Sequence, residues 1–238
     1  MEEFITTNFN FIIYGFELFA ALIGILCFNK FKKTKTKYFI YFLIYIFFVE
    51  IIGASLIYFP TFPIIKLIRS FGISSINWYN LFWFFGSILF VLFYFHSLIK
   101  LKQFKLIIKI VTVLFSLIML GHFTLYFDVF MISHPKIYQF LGLLATFICI
   151  SLYFIEFLNS DSILHVFKTF GFYASLGLFV WWLIITPVIF FNNYNTVSDW
   201  NFVNLKRQIF LFANILMYST FAFALVFCKP EIEYENNI

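Results

Sequence analysis

Apolar residues gather along this chain in seven long stretches, near residues 9–28, 38–59, 79–99, 106–127, 137–158, 170–191 and 208–228, separated by short polar punctuation. A bilayer core about 30 Å thick is crossed by roughly 20 residues of helix. Unpaired backbone in hydrocarbon is too costly for any open alternative. The pattern therefore predicts an all-α fold, an integral membrane bundle of seven transmembrane helices forming one domain over residues 1–238. The first stretch is expected to stay as a helix: its leader carries Glu2 and Glu3 where a cleavable signal carries cations, and no A-x-A-like site follows. Between the second and third stretches Ile64, Leu67, Ile68 and Phe71 recur at helical spacing opposite Lys66, Arg69 and Ser70. This predicts a short interfacial helix, entered at Pro60 and Pro63 and left at Gly72.

Composition strengthens the membrane reading. Of the residues 63% are hydrophobic and only 11% charged, with a mean hydropathy of +0.97. The 41 Phe fit lipid exposure and an AT-rich coding sequence, so no aromatic stripe is read as a cofactor site, and no cofactor is expected. A sequence pI near 9.0 would point a soluble protein towards nucleic acid. Here the lysines sit in short loops beside apolar runs, so membrane lipids are the expected partner and nucleic acid is not. Cys27, Cys149 and Cys228 lack CxxC spacing and read as inert core thiols.

Lys and Arg near helix ends are retained on the cytoplasmic side. With the N-terminus outside, the inner segments hold Lys30, Lys32, Lys33, Lys35, Lys37, Lys100, Lys102, Lys105, Lys109, Lys168 and Lys229, eleven of the sixteen cations. The outer segments hold Lys66, Arg69, Lys136, Lys206 and Arg207. The expected topology puts the C-terminus in the cytoplasm.

Ionisable or strongly polar side chains inside such spans cost about 2.5–3.5 kcal/mol each and face protein or water. Glu17, Glu50, His122 and Asn214 stand out. Asn10, Tyr14, Glu17, Ala21 and Gly24 form one polar or small face of the first helix. Arg207, Asn214, Tyr218 and Ala222 form another on the last helix, and Ser175, Trp182 and Thr186 a third on the sixth. Glu50 adjoins Gly53, Ala54 and Ser55. At 1.5 Å per residue, Glu17, Glu50, His122 and Asn214 lie about 12, 14, 8 and 9 Å from the outer ends of their spans. Two readings stand. In one, Glu17, Glu50, His122, Trp182, Asn214 and Tyr218 line an outward-facing, ligand-binding cavity; in the other, each polar group fixes packing through an interhelical hydrogen bond. Nearer the inner ends, His96 and Glu156 read as side chains solvated at the headgroups, with a pH-responsive pair as the alternative.

Familiar chemistries are missing from the sequence. There is no HExxH zinc motif, no GxSxG elbow and no glycine-rich phosphate loop. His96, His122, His134 and His165 do not assemble a metal-ligand spacing, so no metal site is expected. Asp128, Asp161 and Asp199 fall at span ends or in loops, where an intramembrane aspartyl protease would need them within helices, and no lysine sits mid-span in the last helix.

The segments ELFAALIGILCFNKFKKTKTKYFIYFLIYIFFVEIIG, Glu17 to Gly53, and NFVNLKRQIFLFANILMYSTFAFAL, Asn201 to Leu225, resemble bacterial seven-helix membrane modules that stand alone or, in related form, precede sensor histidine kinases. The chain departs from the kinase-linked form, with only KPEIEYENNI after Cys228. The resemblance implies a multi-pass protein of the bacterial cytoplasmic (inner) membrane that senses or binds a partner. Its output would be carried by a separate cytoplasmic signalling protein. The expected function is thus a non-catalytic sensory module, with a small permease or proton-coupled transporter and an intramembrane enzyme on a lipid-like substrate as the alternatives. The oligomeric state stays open.

Overall fold

The computed structural model describes residues 2–159, 166–191 and 200–230, without the side chains of residues 2–7, 191, 200 and 201. Asp161, His165 and Asp199 lie outside the described residues. Every described element is helical: α1 Glu2–Phe31, α2 Thr36–Tyr58, α3 Pro63–Ser70, α4 Ser75–Trp78, a π-helical segment Tyr79–Gly86, α5 Ser87–Leu98, α6 Lys102–Leu125, α7 Phe127–Ile132, α8 Lys136–Leu158, α9 Phe170–Phe191 and α10 Trp200–Phe227. Seven of the resulting rods are long and apolar enough to cross a membrane, the third running from Ser75 through the π segment to Leu98. The chain is a multi-pass, all-helical membrane protein.

Several helices extend past the predicted apolar stretches. α10 starts at Trp200 and α6 at Lys102, because long cationic side chains keep their charge in the headgroups while their stems and backbone continue the helix. Large apolar side chains remain on the outer faces, with Leu26 77%, Leu117 61% and Phe212 61% exposed. Such surfaces suit acyl chains and not water. Serine and threonine hydroxyls turn back onto their own helices: Thr112 donates to the Ile108 carbonyl, Ser116 to Thr112, Ser175 to Gly171 and Thr220 to Leu216. A hydroxyl in hydrocarbon is thereby satisfied without a second helix.

The helices divide into two compact units, residues 1–43 with 160–238, and residues 44–159. In the first unit α10 packs along both α1 and α9. Association in lipid depends on close van der Waals contact, which small residues permit. Gly24 meets Ile40 and Leu225, and Gly177 meets Phe221. Phe39 packs edge-on to Phe170 and Phe221, with ring centroids 5.1 and 4.9 Å away. At one end of this unit the Lys30 ammonium donates to the carbonyls of Leu225 and Val226 at 3.1 and 2.8 Å, satisfying the open last turn of α10.

In the second unit α5 packs against α6 and α8, and α7 sits against α4 and α6. Phe85 stacks on Phe115 and Phe95 meets Tyr153 edge-on. The π segment loosens the usual hydrogen-bond ladder, and side chains engage the carbonyls there. The Tyr45 hydroxyl donates to the Phe82 carbonyl at 2.6 Å, and the Ser87 hydroxyl to the Trp83 carbonyl. Gly86 leaves the room that Tyr45 occupies: a Cβ there would lie 2.2 Å from the tyrosine oxygen. α3 forms where the apolar spacing predicts it, with Pro63 in its first turn and Ile64, Leu67 and Phe71 exposed. Gly72 follows at φ 77°, a left-handed turn that glycine adopts without strain. Arg69 donates to the Leu56 carbonyl at 2.6 Å, closing the last turns of α2.

Two glycines separate helix propensity from packing. A Cβ at Gly121 meets nothing within 4 Å, whereas one at Gly177 would lie 2.7 Å from Phe221 Cε1, on a ring with no exposed surface. Gly121→Ala should therefore stabilise the detergent-solubilised protein by up to about 1 kcal/mol, and Gly177→Ala should destabilise it by about 1–3 kcal/mol. Thermal unfolding of the two variants, read side by side, checks the opposite signs.

Candidate functional site

The six residues singled out by polarity and spacing fall into both units. Glu17, Trp182, Asn214 and Tyr218 belong to the first, Glu50 and His122 to the second.

Glu17 is 3% exposed, and Ala20, Ala21 and Gly24 beside it on α1 are buried as well. The predicted polar and small-residue face of α1 is thus buried from Glu17 to Gly24, while Asn10 and Tyr14 on it are half-buried. On α10, Asn214, Tyr218 and Ala222 are all buried. Asn214 uses both ends of its amide: Oδ1 accepts the indole N–H of Trp181 at 3.2 Å, and Nδ2 donates to the Phe210 carbonyl at 2.8 Å. Trp182 is buried and packs edge-on against Trp181, with centroids 5.0 Å apart. The partner of Asn214 is therefore the neighbour of the tryptophan selected by spacing. The line from Ser175 to Thr186 passes through Trp182, but Leu178, Trp181 and Ile185 form an equally buried line beside it. A buried indole needs an acceptor, and that requirement is the signal pointing to Trp181.

In the second unit the Glu50 carboxylate accepts the Tyr79 hydroxyl at 2.9 Å. The Tyr79 ring occupies the space left by Gly53, where a Cβ would be 2.5 Å from its Cζ. One residue earlier, the Trp78 indole donates to the Val49 carbonyl at 2.9 Å. Two consecutive aromatic residues at the start of the π segment thus fasten it to α2. His122 Nδ1 shares a hydrogen bond with the Tyr138 hydroxyl at 2.8 Å, joining α6 to α8.

Asparagines hold the first turn of the same rod. Asn77 takes part in a reciprocal capping box with Ser74 and donates to the Gly72 carbonyl at 3.0 Å. Asn80, with no exposed surface, donates to the carbonyls of Phe130 and Ser133, each at 2.7 Å. Both Nδ2 hydrogens are then used, so Asn80 Oδ1 must accept from His134 Nδ1 at 2.7 Å. His134 carries its proton on Nδ1 and keeps Nε2 as an acceptor when neutral. Apolar surroundings lower its pKa from the ordinary value, although one side of the residue stays exposed. Asn77 and Asn80 stand at i and i+3 where the third apolar stretch begins, and the apolar pattern by itself gives them no role. Their role depends on α7 and the Ile132–Pro135 connection, which the local pattern does not reveal.

Towards the other end, the Glu156 carboxylate accepts the backbone N–H groups of Lys100 at 2.6 Å and Leu101 at 2.9 Å. It is a specific clamp on the entry to α6, beyond a solvated interfacial charge. Among the described residues no three His, Cys, Asp or Glu side chains gather as a metal site. No known protein family, curated protein or solved structure matches the chain.

The hydrogen bond between Tyr79 and Glu50 should survive as a measurable term. Tyr79→Phe is expected to cost about 0.5–2 kcal/mol in detergent unfolding; Gly53→Ala, which drives a methyl into the same ring, should cost at least as much. His134 gives a pH dependence of known sign. Its folded pKa is lowered, so the folded state binds fewer protons than the unfolded state just below the unfolded value of about 6.5. Its contribution is complete above that pH and is lost as pH falls through the folded pKa. The unfolding midpoint should therefore drop on acidification, and His134→Gln, which keeps an N–H donor, should show a smaller drop between pH 7.5 and 5.

Proposed function

We propose that this chain is a sensory or partner-binding module of a bacterial cytoplasmic membrane, with its N-terminus outside, its C-terminus in the cytoplasm and no catalytic activity of its own. The observation that carries this reading is the construction of α1. It holds a buried carboxyl, Glu17, within its span, and one residue before its end Lys30 grips the last carbonyls of α10. Thirteen residues of helix, about 20 Å, connect the two.

A carboxyl in such surroundings is sensitive to anything that changes its charge or its partners, because the apolar span disfavours an uncompensated ion. A ligand that binds one arrangement of α1 and α10 more tightly shifts the population between arrangements. The shift then reaches the Lys30 contact and the turn that follows, where Thr34 folds back onto the Phe31 carbonyl through its amide and its hydroxyl. In the proposed topology this turn faces the cytoplasm together with Lys32, Lys33, Lys35 and Lys37. A partner protein would read it there. The excess of cations in the inner segments supports the orientation.

Reporter fusions placed after Lys33, Ser74 and Lys229 should read inside, outside and inside. For function, the protein is crosslinked gently in cells and purified, as wild type and as Glu17→Gln and Glu50→Gln. A cytoplasmic protein that accompanies the wild type and is lost or enriched at least severalfold with Glu17→Gln supports the module. Absence of any partner, combined with solute uptake into liposomes that either substitution abolishes, would establish transport instead.

A further inference from the structure

We propose that the entry end of α6 is a binding site for the headgroup of an anionic phospholipid, formed by Lys105 and Lys109 on α6 with His96 on α5, and that its acyl chain lies along α6. The inference is independent of the signalling reading and of the orientation.

Lys105 and Lys109 are one turn apart, on the same face of α6. α5 packs against α6 and only residues 99–101 join them, so His96 in the last turn of α5 lies beside the first turns of α6 that carry both lysines. Three nitrogen-bearing side chains from two helices thus share one neighbourhood. The sequence has no acidic residue between His96 and Asp128. Among the described residues neither lysine takes part in an ion pair. Among the described residues of the second unit, the carboxylate at this end is Glu156, and both its oxygens are engaged by the backbone N–H groups of Lys100 and Leu101. Glu156 therefore serves the backbone donors that open α6, and among the described residues it is not paired with the Lys105 or Lys109 ammonium.

Depth and surface determine which anion fits. Lys109 lies seven residues beyond Lys102, about 10 Å into the rod, so its stem runs along the hydrocarbon edge while its ammonium reaches back to the phosphate level. Continuing the same face at helical spacing, Val113, Leu117 and Leu120 are all exposed. From Lys109 to Leu120 the helix rises about 16 Å, the thickness of one leaflet of a 30 Å hydrocarbon core. Cations at one end of an exposed apolar stripe one leaflet long match a phospholipid better than a free phosphate, which has nothing to place on the stripe. Basic sites between membrane helices recognise such headgroups.

The test is native mass spectrometry of the full-length protein in mild detergent, titrated with phosphatidylglycerol or with phosphatidylcholine of the same acyl chains. Phosphatidylglycerol should be retained selectively. Lys105→Gln with Lys109→Gln should weaken it about thirtyfold, at about one kcal/mol for each lysine, and His96→Gln should weaken it severalfold. The Lys105→Arg, Lys109→Arg variant keeps the charge and should retain the lipid. Lys32→Gln with Lys33→Gln removes the same charge from the exposed α1–α2 turn and should leave binding unchanged. An equal loss in that control, equal retention of phosphatidylcholine, or displacement of the lipid by millimolar inorganic phosphate would each overturn the proposal.

Discussion

A polar group in hydrocarbon cannot turn to water, and this structure is arranged around that constraint. Nearly every strongly polar side chain described within the spans is committed to an acceptor or donor supplied by the protein. The Thr112, Ser116, Ser175 and Thr220 hydroxyls fold back onto their own helices. Asn214 divides its amide between Trp181 and the Phe210 carbonyl, and Tyr45 and Ser87 serve carbonyls of the π segment. Where the helices end, charged side chains perform the same service for backbone groups: Lys30 for α10, Arg69 for α2 and Glu156 for the entry to α6. The apolar surface drives insertion, but lipid is as apolar as leucine and does not discriminate among helix pairings. Pairing is chosen by these polar commitments and by glycines such as Gly53 and Gly177 that admit a neighbouring ring.

This division of labour explains what could be read from sequence. The seven rods were legible because hydropathy and length follow from the bilayer alone. The buried face of α1 was legible because Glu17, Ala21 and Gly24 recur at helical spacing, and the same holds for Asn214, Tyr218 and Ala222 on α10. The partners were not legible. Trp181 and Trp182 are adjacent, and only the packed structure shows which indole reaches Asn214. Tyr79, Asn77 and Asn80 carried no signal in the apolar pattern; their meaning comes from Glu50, from the Gly72 turn and from the carbonyls of Phe130 and Ser133, far away in sequence. The π segment was invisible for a related reason. Its loosened ladder goes with tertiary contacts from Tyr45 and the space at Gly86, and no local propensity announces it.

The functional proposal rests on the same constraint viewed from the opposite side. A group whose hydrogen bonds are satisfied within the fold specifies packing, as Asn80 and Asn214 do. A carboxyl in the span is different because its charge can change while its position in the chain stays fixed, and the surrounding arrangement must respond. Glu17 is the carboxyl best placed to report such a change, since the helix that bears it also carries the Lys30 contact on α10.

That claim is tested most directly by the distance between the Lys30 ends of α1 and α10. Spin labels at Asn29 and Phe227, both exposed, can be introduced after Cys27, Cys149 and Cys228 are replaced, and the inter-label distance measured in nanodiscs with Glu17 intact and as Glu17→Gln. The account predicts that the substitution displaces or splits the distance distribution by about 1–2 Å, the scale of helix shifts in switching proteins. Identical distributions for the two proteins would contradict it, because Glu17 would then be confined to packing and α1 would carry no message to its far end.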